Sequence, residues 1–490
     1  MVAASANSEL ILPTTEFQIL DFPVVSLDGG SQSSRVHAGL RNAILSGRLA
    51  PGTCLPSSRM LAAQLGVRRN AVVLAFEQLG SDGLVEGRQG AGTFVATRLP
   101  IGPARDIPVA PPHVVPSYAP FAIGRTHRDP VLLNSLGRLI RRSLMTGSAV
   151  PFGYGDARGS EALRRAIADH LAATRGIICD PSRILVTSGT QQAIRLCSDV
   201  LVQPGDAVWM EDPGYPAARR CFEAAGARPV PVPVDAAGLD VAAGRRRAAR
   251  VVLAYVTPSH QFPTGVTMTM ERRLALLDWA READAYVLED DYDSEFRYAG
   301  PPLTALAGID GFGRVIYLGT FSKTLFPGLR IGYAVLPPAL VTPVVTARLA
   351  ADRFPSTLGS DAVAELIATG GFAAHVRRMR LRYRAARDLL ATVLPEASHG
   401  LLQVQSPEQG LHLMALLPSH WPVGAAAAIR AAAGVEAWLL SDTRMVASQQ
   451  DGFVLGFSGH SLSELRRASE RLGQAVRDHA CQVEIRINGR

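Results

Sequence analysis

Residues 99–120 hold seven prolines: Pro100, Pro103, Pro108, Pro111, Pro112, Pro116 and Pro120. Proline fixes φ and lacks an amide hydrogen, so a run this dense forms neither a helix interior nor a central strand. The segment is expected to be an extended linker, rising about 3.1 Å per residue. A chain of 490 residues exceeds the usual domain size of roughly 100–200 residues. The expected organisation is a small N-terminal domain at 28–98, the linker at 99–120, and a large C-terminal domain at 121–490.

The small domain is basic. From Arg35 to Arg98 there are eight arginines against Glu77, Asp82 and Glu86, within a chain of net charge +7. Such a segment fits a polyanion partner or a solvated face. Its pattern narrows the choice. Val36, Leu40, Ala43 and Ile44 keep helical spacing over Arg35–Ser46. Leu55-Pro56-Ser57-Ser58 offers a hydroxyl cap to a short helix carrying Leu61 and Leu65, which Gly66 ends. Val67–Leu79 then places Val72, Phe76 and Leu79 on one face, with Arg68, Arg69 and Asn70 at its start. Helix, tight turn and helix in this order put polar side chains against base edges in a major groove. Leu84–Val95 reads as two short strands around a Gly-rich tip, a wing that brings Arg88 and Gln89 to the minor groove. The segment from Ala43 through Arg59, with Gly90-Ala91-Gly92-Thr93-Phe94-Val95, resembles the winged helix-turn-helix of GntR-type bacterial regulators over 35–96. The resemblance implies a double-stranded DNA operator as partner, read by Arg59, Arg68, Arg69, Asn70, Arg88 and Gln89. Arg69-Asn70-Ala71 departs from the family's Ser/Thr-rich pattern, so the preferred base sequence is expected to differ.

Five scattered cysteines without a CxxC pair indicate neither a disulfide framework nor a metal site. The first thirty residues carry four acids and no Lys or Arg, unlike a signal peptide, and the longer apolar stretches are interrupted before spanning length. The expected compartment is the cytoplasm, with no membrane partner.

Positive charge is carried by 49 arginines and one lysine, Lys323. Arginine replaces lysine in salt bridges and phosphate contacts, but its guanidinium is not a usable nucleophile, whereas a lysine amine forms a Schiff base. Lys323 follows the strand-like run Val315-Ile316-Tyr317-Leu318 and leads to Pro327-Gly328-Leu329-Arg330, a setting for chemistry rather than solubility.

From residue 121 apolar runs alternate with helical stretches, as in a doubly wound α/β domain. Ile184-Leu185-Val186-Thr187 enters Ser188-Gly189-Thr190, and a helix follows; such a turn presents amides to a phosphate or merely caps the helix. Ala285-Tyr286-Val287-Leu288 ends in Glu289-Asp290-Asp291-Tyr292-Asp293, where ligands bind in parallel sheets. A metal cluster fits these acids less well than one carboxylate facing a cationic ring nitrogen, since phosphate donors and an amine accompany them. The set matches pyridoxal 5′-phosphate (PLP).

At these positions residues 121–490 resemble fold-type I aminotransferases: a mostly parallel sheet with flanking helices and a small C-terminal α+β segment. Tyr154-Gly155-Asp156, Ser188-Gly189-Thr190, Asp212-Pro213-Gly214-Tyr215, Pro258 to Gly265, Asp290 with Tyr292, and Ser322-Lys323 to Arg330 occur in family order. The resemblance implies Lys323 as the Schiff-base residue and Tyr215 stacked on the cofactor ring, unless it is only a turn aromatic. It implies Asp290 at the pyridine nitrogen, and Gly189, Thr190, Thr320, Ser322 and Arg330 around the phosphate. Tyr292 is implied at the phenolic oxygen with His260, which is equally readable as a structural histidine.

Two departures stand out. Phe262 occupies the position of the Asn in Asn-Pro-Thr-Gly, and Val454 that of the arginine that clamps a substrate carboxylate. The fused architecture resembles MocR-type transcription regulators. That resemblance implies a head-to-tail homodimer whose two N-terminal domains read an operator. With the cofactor set intact and Phe262 and Val454 replacing groups that hold an amino-acid substrate, PLP, or a small amine forming an external aldimine at Lys323, is expected to control operator binding with weak or absent transamination. The alternative is an active aminotransferase with an accessory N-terminal domain, to which Arg444 would supply the clamp.

Overall fold

The computed structural model describes residues 30–99, 119–145, 153–248 and 250–488. The chain separates into two compact units, divided between Val115 and Pro116. Of the proline-rich run, residues 100–118 lie outside the described residues.

In the small unit three helices span Gln32–Leu45, Ser58–Leu65 and Arg69–Ser81, within three residues of their expected bounds. The caps explain where they start and stop. The Ser57 hydroxyl accepts from the amide of Met60 at 3.3 Å, and Gly66 ends the second helix at φ 62°, a conformation glycine adopts without strain. The third helix begins after Arg68, whose amide donates to Gln32 Oε1 at 3.2 Å and so ties it to the start of the first helix. Val36, Leu40, Ala43, Ile44, Leu61, Val72 and Leu79 close the core, together with Leu84 and Val95 of the wing. The wing pairs Val85–Arg88 antiparallel with Gly92–Val95.

The large unit is built on an eight-stranded sheet. Its spatial order is Ile184–Thr187, Gly332–Val335, Val315–Thr320, Tyr286–Asp291, Leu253–Val256, Ala207–Asp212, Arg228–Asp235 and Gly238–Leu239. Gly332–Val335 runs antiparallel to both neighbours, whereas the strands from Val315–Thr320 to Arg228–Asp235 pair in parallel. Their apolar runs are buried on both faces, as a sheet covered by helices requires. On one side Trp209 stacks on Trp279 with centroids 3.9 Å apart. A four-stranded antiparallel sheet near the C-terminus orders Gln403–Gln405, His412–Leu416, Gly452–Gly456 and Trp438–Leu439.

The acids stand at the carboxyl end of their strand, as expected: Glu289, Asp290 and Asp291 are its last three residues, and Asp293 lies just beyond it. Two of these buried acids are satisfied by the protein: Glu289 accepts from the amides of Leu306 and Ala307, each at 2.8 Å, and Asp291 faces Arg175 at 2.8 Å and the Tyr317 hydroxyl at 2.6 Å.

Candidate cofactor and DNA sites

The carboxyl ends of the parallel strands open on a cavity of about 280 Å³. Nine of the ten sequence-predicted cofactor residues line it: Gly189, Thr190, Tyr215, Asp290, Tyr292, Thr320, Ser322, Lys323 and Arg330. They arrive from separate elements. Gly189, at φ 128°, starts the helix Thr190–Leu201, so its first turn presents free amides and the positive end of the helix dipole. Thr320 ends a strand, and its hydroxyl accepts from the amide of Ser322 at 3.1 Å. Arg330 follows a short turn with φ 53°, a left-handed conformation unusual for arginine that tends to persist at functional sites. A Cβ built on Gly189 would stand 3.6 Å from its guanidinium, so helix start and arginine face one anion-sized space.

Asp290 is buried, and Tyr255 donates to its Oδ2 at 2.7 Å. Its other oxygen, Oδ1, is buried without a protein partner, as is the Ser322 hydroxyl. Burial pushes the Asp290 carboxyl up to about 7, opposed by the Tyr255 hydrogen bond. Lys323 is half-buried; removal from water lowers its pKa, against the attraction of Asp293 and Asp290. A buried carboxylate short of one donor suits a protonated ring nitrogen, and an amine with lowered pKa suits a carbonyl carbon. The residues present fit PLP.

His260 is not among the cavity-lining residues. Its Nδ1 faces Asp293 at 3.0 Å and the Tyr292 hydroxyl at 3.1 Å, while that hydroxyl also lies 3.0 Å from the His260 carbonyl. The nearest ring nitrogen and carboxylate atoms of His260, Asp293 and His412 lie within 4.8 Å of one another. The His412 Nε2 lies 3.3 Å from the Pro263 carbonyl, and burial drives its pKa well down, leaving a neutral ring. Sequence reasoning missed Tyr255, Thr257, His412, Trp438, Ile123 and Gly124, which also line the cavity. Tyr255 had a legible signal, its place near the carboxyl end of a parallel strand; His412 and Trp438 had none, since the second sheet is what brings them in. Neither Arg444 nor Val454 lines the cavity.

In the small unit Arg59, Arg68, Arg69, Asn70, Arg88 and Gln89 are all exposed. Arg69 Nε lies 3.4 Å from the Ser58 hydroxyl, and Arg88 pairs with Glu86 at 2.7 Å above the Phe94 ring.

A helix-turn-helix with a wing, in one chain with a strand-rimmed cavity of this make-up, defines the class: a DNA-binding unit fused to an aminotransferase-type domain. Residues 32–95 match the profile of bacterial regulatory proteins, gntR family, and residues 148–469 that of aminotransferase class I and II. The chain is 35% identical to the probable rhizopine catabolism regulatory protein MocR of Rhizobium meliloti, over 90% of this chain and 93% of that one. It is 31% identical to the HTH-type pyridoxine biosynthesis transcriptional regulator PdxR of Corynebacterium glutamicum, over 89% and 94%. An archaeal alanine:glyoxylate aminotransferase superposes with a TM-score of 0.68 at 28% identity, covering 74% of this chain and 91% of its own. The chain belongs to the MocR family of transcription regulators, and PLP is the cofactor of its large domain's fold. Among the described residues no helix is long and apolar enough to cross a membrane.

Proposed function

We propose that the chain is a cytoplasmic regulator whose operator affinity is set by what occupies the Lys323 cavity, PLP alone or PLP with a small amine. Residues 28–98 bind the operator through Arg59, Arg68, Arg69, Asn70, Arg88 and Gln89; residues 99–120 link; residues 121–490 hold the cofactor and pair two chains as a homodimer. The observation that carries the reading is the pair of unpartnered buried atoms, Asp290 Oδ1 and Ser322 Oγ, beside the chain's single lysine. Lys323 holds the cofactor, Asp290 its ring nitrogen, Tyr215 its ring face, Tyr292 its phenolic oxygen, and Gly189, Thr190, Thr320, Ser322 and Arg330 its phosphate. PLP would supply an aldehyde that condenses with amines and a ring that withdraws electrons from the product. A ligand shifts operator affinity only by its differential affinity for the two states of the protein. The test is operator affinity of apo, PLP-loaded and PLP-plus-amine protein, with keto-acid production followed in parallel. Equal affinity in all three states with robust multiple turnover would make the chain an enzyme instead.

A further inference from the structure

Beyond the cofactor contacts, the cavity wall is aromatic, and among its described lining residues there is no cation to spare. Phe262 lines the cavity, edge-on to Tyr215 at 5.5 Å, Trp438 at 5.7 Å and His412 at 5.3 Å between ring centroids. Ile123 and Leu411 complete the apolar side. Among the described lining residues the positive side chains are Lys323 and Arg330, and Arg330 faces Gly189 at the phosphate end.

Sheet register identifies one position from which a cation could approach. Val454 pairs directly with Met414 on one side and Trp438 on the other, and His412 lies two residues from Met414. Residues directly opposite, and residues two apart, share a sheet face. Val454 therefore lies on the face from which His412 and Trp438 reach the cavity. A long cationic side chain at this position would project toward the cavity; valine leaves the indole there instead. Arg125, one residue past Gly124, reaches His460 with Nη1 3.5 Å from Nδ1, and Arg444 lies outside the cavity lining. With Nε2 facing the Pro263 carbonyl, the neutral His412 ring has no charge to offer.

We propose that the effector of this cavity is a primary amine bearing an apolar or aromatic group and no carboxylate. The inference rests on the reading of the cavity as an effector site. A carboxylate placed against Phe262, Trp438 and Leu411 would lose its water without gaining a partner, a large penalty for an anion, whereas an aryl or alkyl group gains by the same burial.

The test uses the full-length, PLP-loaded protein and a matched pair, 2-phenylethylamine and L-phenylalanine, which differ by one carboxylate. Binding is read by the cofactor's absorption band and by the shift in unfolding temperature. The amine is expected to half-saturate at a concentration at least ten-fold below that of the amino acid. Val454→Arg is expected to narrow or invert that ratio, and Trp438→Ala to weaken the amine. Phenylalanine acting at an equal or lower concentration, or phenylethylamine without effect at millimolar concentration, overturns the inference while leaving PLP binding intact. A protein that takes up no PLP before the titration sinks the underlying reading of the site instead.

Discussion

Tyr255 donates to one oxygen of Asp290 at 2.7 Å and leaves the other buried with nothing to bind. The carboxylate is thus half-satisfied by the protein, and its remaining valence points at the ligand. In the apoprotein it keeps a proton up to about pH 7, whereas in the unfolded chain it loses it near 3.8. Between these values the native state binds more protons than the unfolded one, so stability falls as pH rises.

Thermal unfolding of the apoprotein from pH 4 to 7 is therefore expected to show a decline attributable to Asp290. Glu211, also buried and pushed up to about 7, adds to it in the same direction. Asp290→Asn should flatten the slope, raise apoprotein stability near pH 7 and weaken PLP binding. An Asn variant with the wild-type slope would remove Asp290 from the account.

Tyr255→Phe takes away a hydrogen bond to a charged acceptor, worth about 1.5–3 kcal/mol. The expected result is PLP affinity lower by roughly 10–100-fold, measured by titration of the apoprotein, with DNA binding by the small unit retained.

Gly124 has φ 89°, and a Cβ there would lie 3.0 Å from Lys323 Nζ. Gly124→Ala should slow and weaken formation of the cofactor's absorption band. Lys323→Ala should abolish that band while leaving the fold intact by circular dichroism. Borohydride reduction followed by peptide mapping should place the label on Lys323.

Arg68 stands exposed at the start of the third helix. If it reads a base edge in bidentate fashion, Arg68→Ala costs about 1–3 kcal/mol on the preferred operator and relaxes base choice at one position. Binding to a set of single-base operator variants measures this. A fragment of residues 121–490, which retains its own core, should keep PLP and lose operator binding.

The small unit was legible because its signals are local: Ser57 and Gly66 cap and stop a helix, and Val36, Leu40, Ala43 and Ile44 recur at helical spacing. Along the large sheet the acids at the end of the strand Tyr286–Asp291 were legible from the apolar run before them. Their partners Arg175, Leu306 and Tyr317 were not, because they are distant in sequence. The cofactor residues were legible through the order of short motifs and through a lysine count of one. His412 and Trp438 were not, because their place depends on the pairing of strands whose own sequences carry no chemistry. Val454 was legible as a replacement; that Trp438 is its partner across the sheet was not.

The antiparallel strand Gly332–Val335 lies between the strand that leads to Gly189 and the one that ends at Thr320. A ribosome has thus made the helix start of the phosphate cradle well over a hundred residues before the strand that brings it beside Thr320 and Arg330. Until residue 335 has emerged and paired on both edges, the two halves of the cradle have no common neighbour. Long-range closure of this kind comes late in folding. A nascent chain therefore cannot complete its phosphate cradle before the greater part of the sheet has been made.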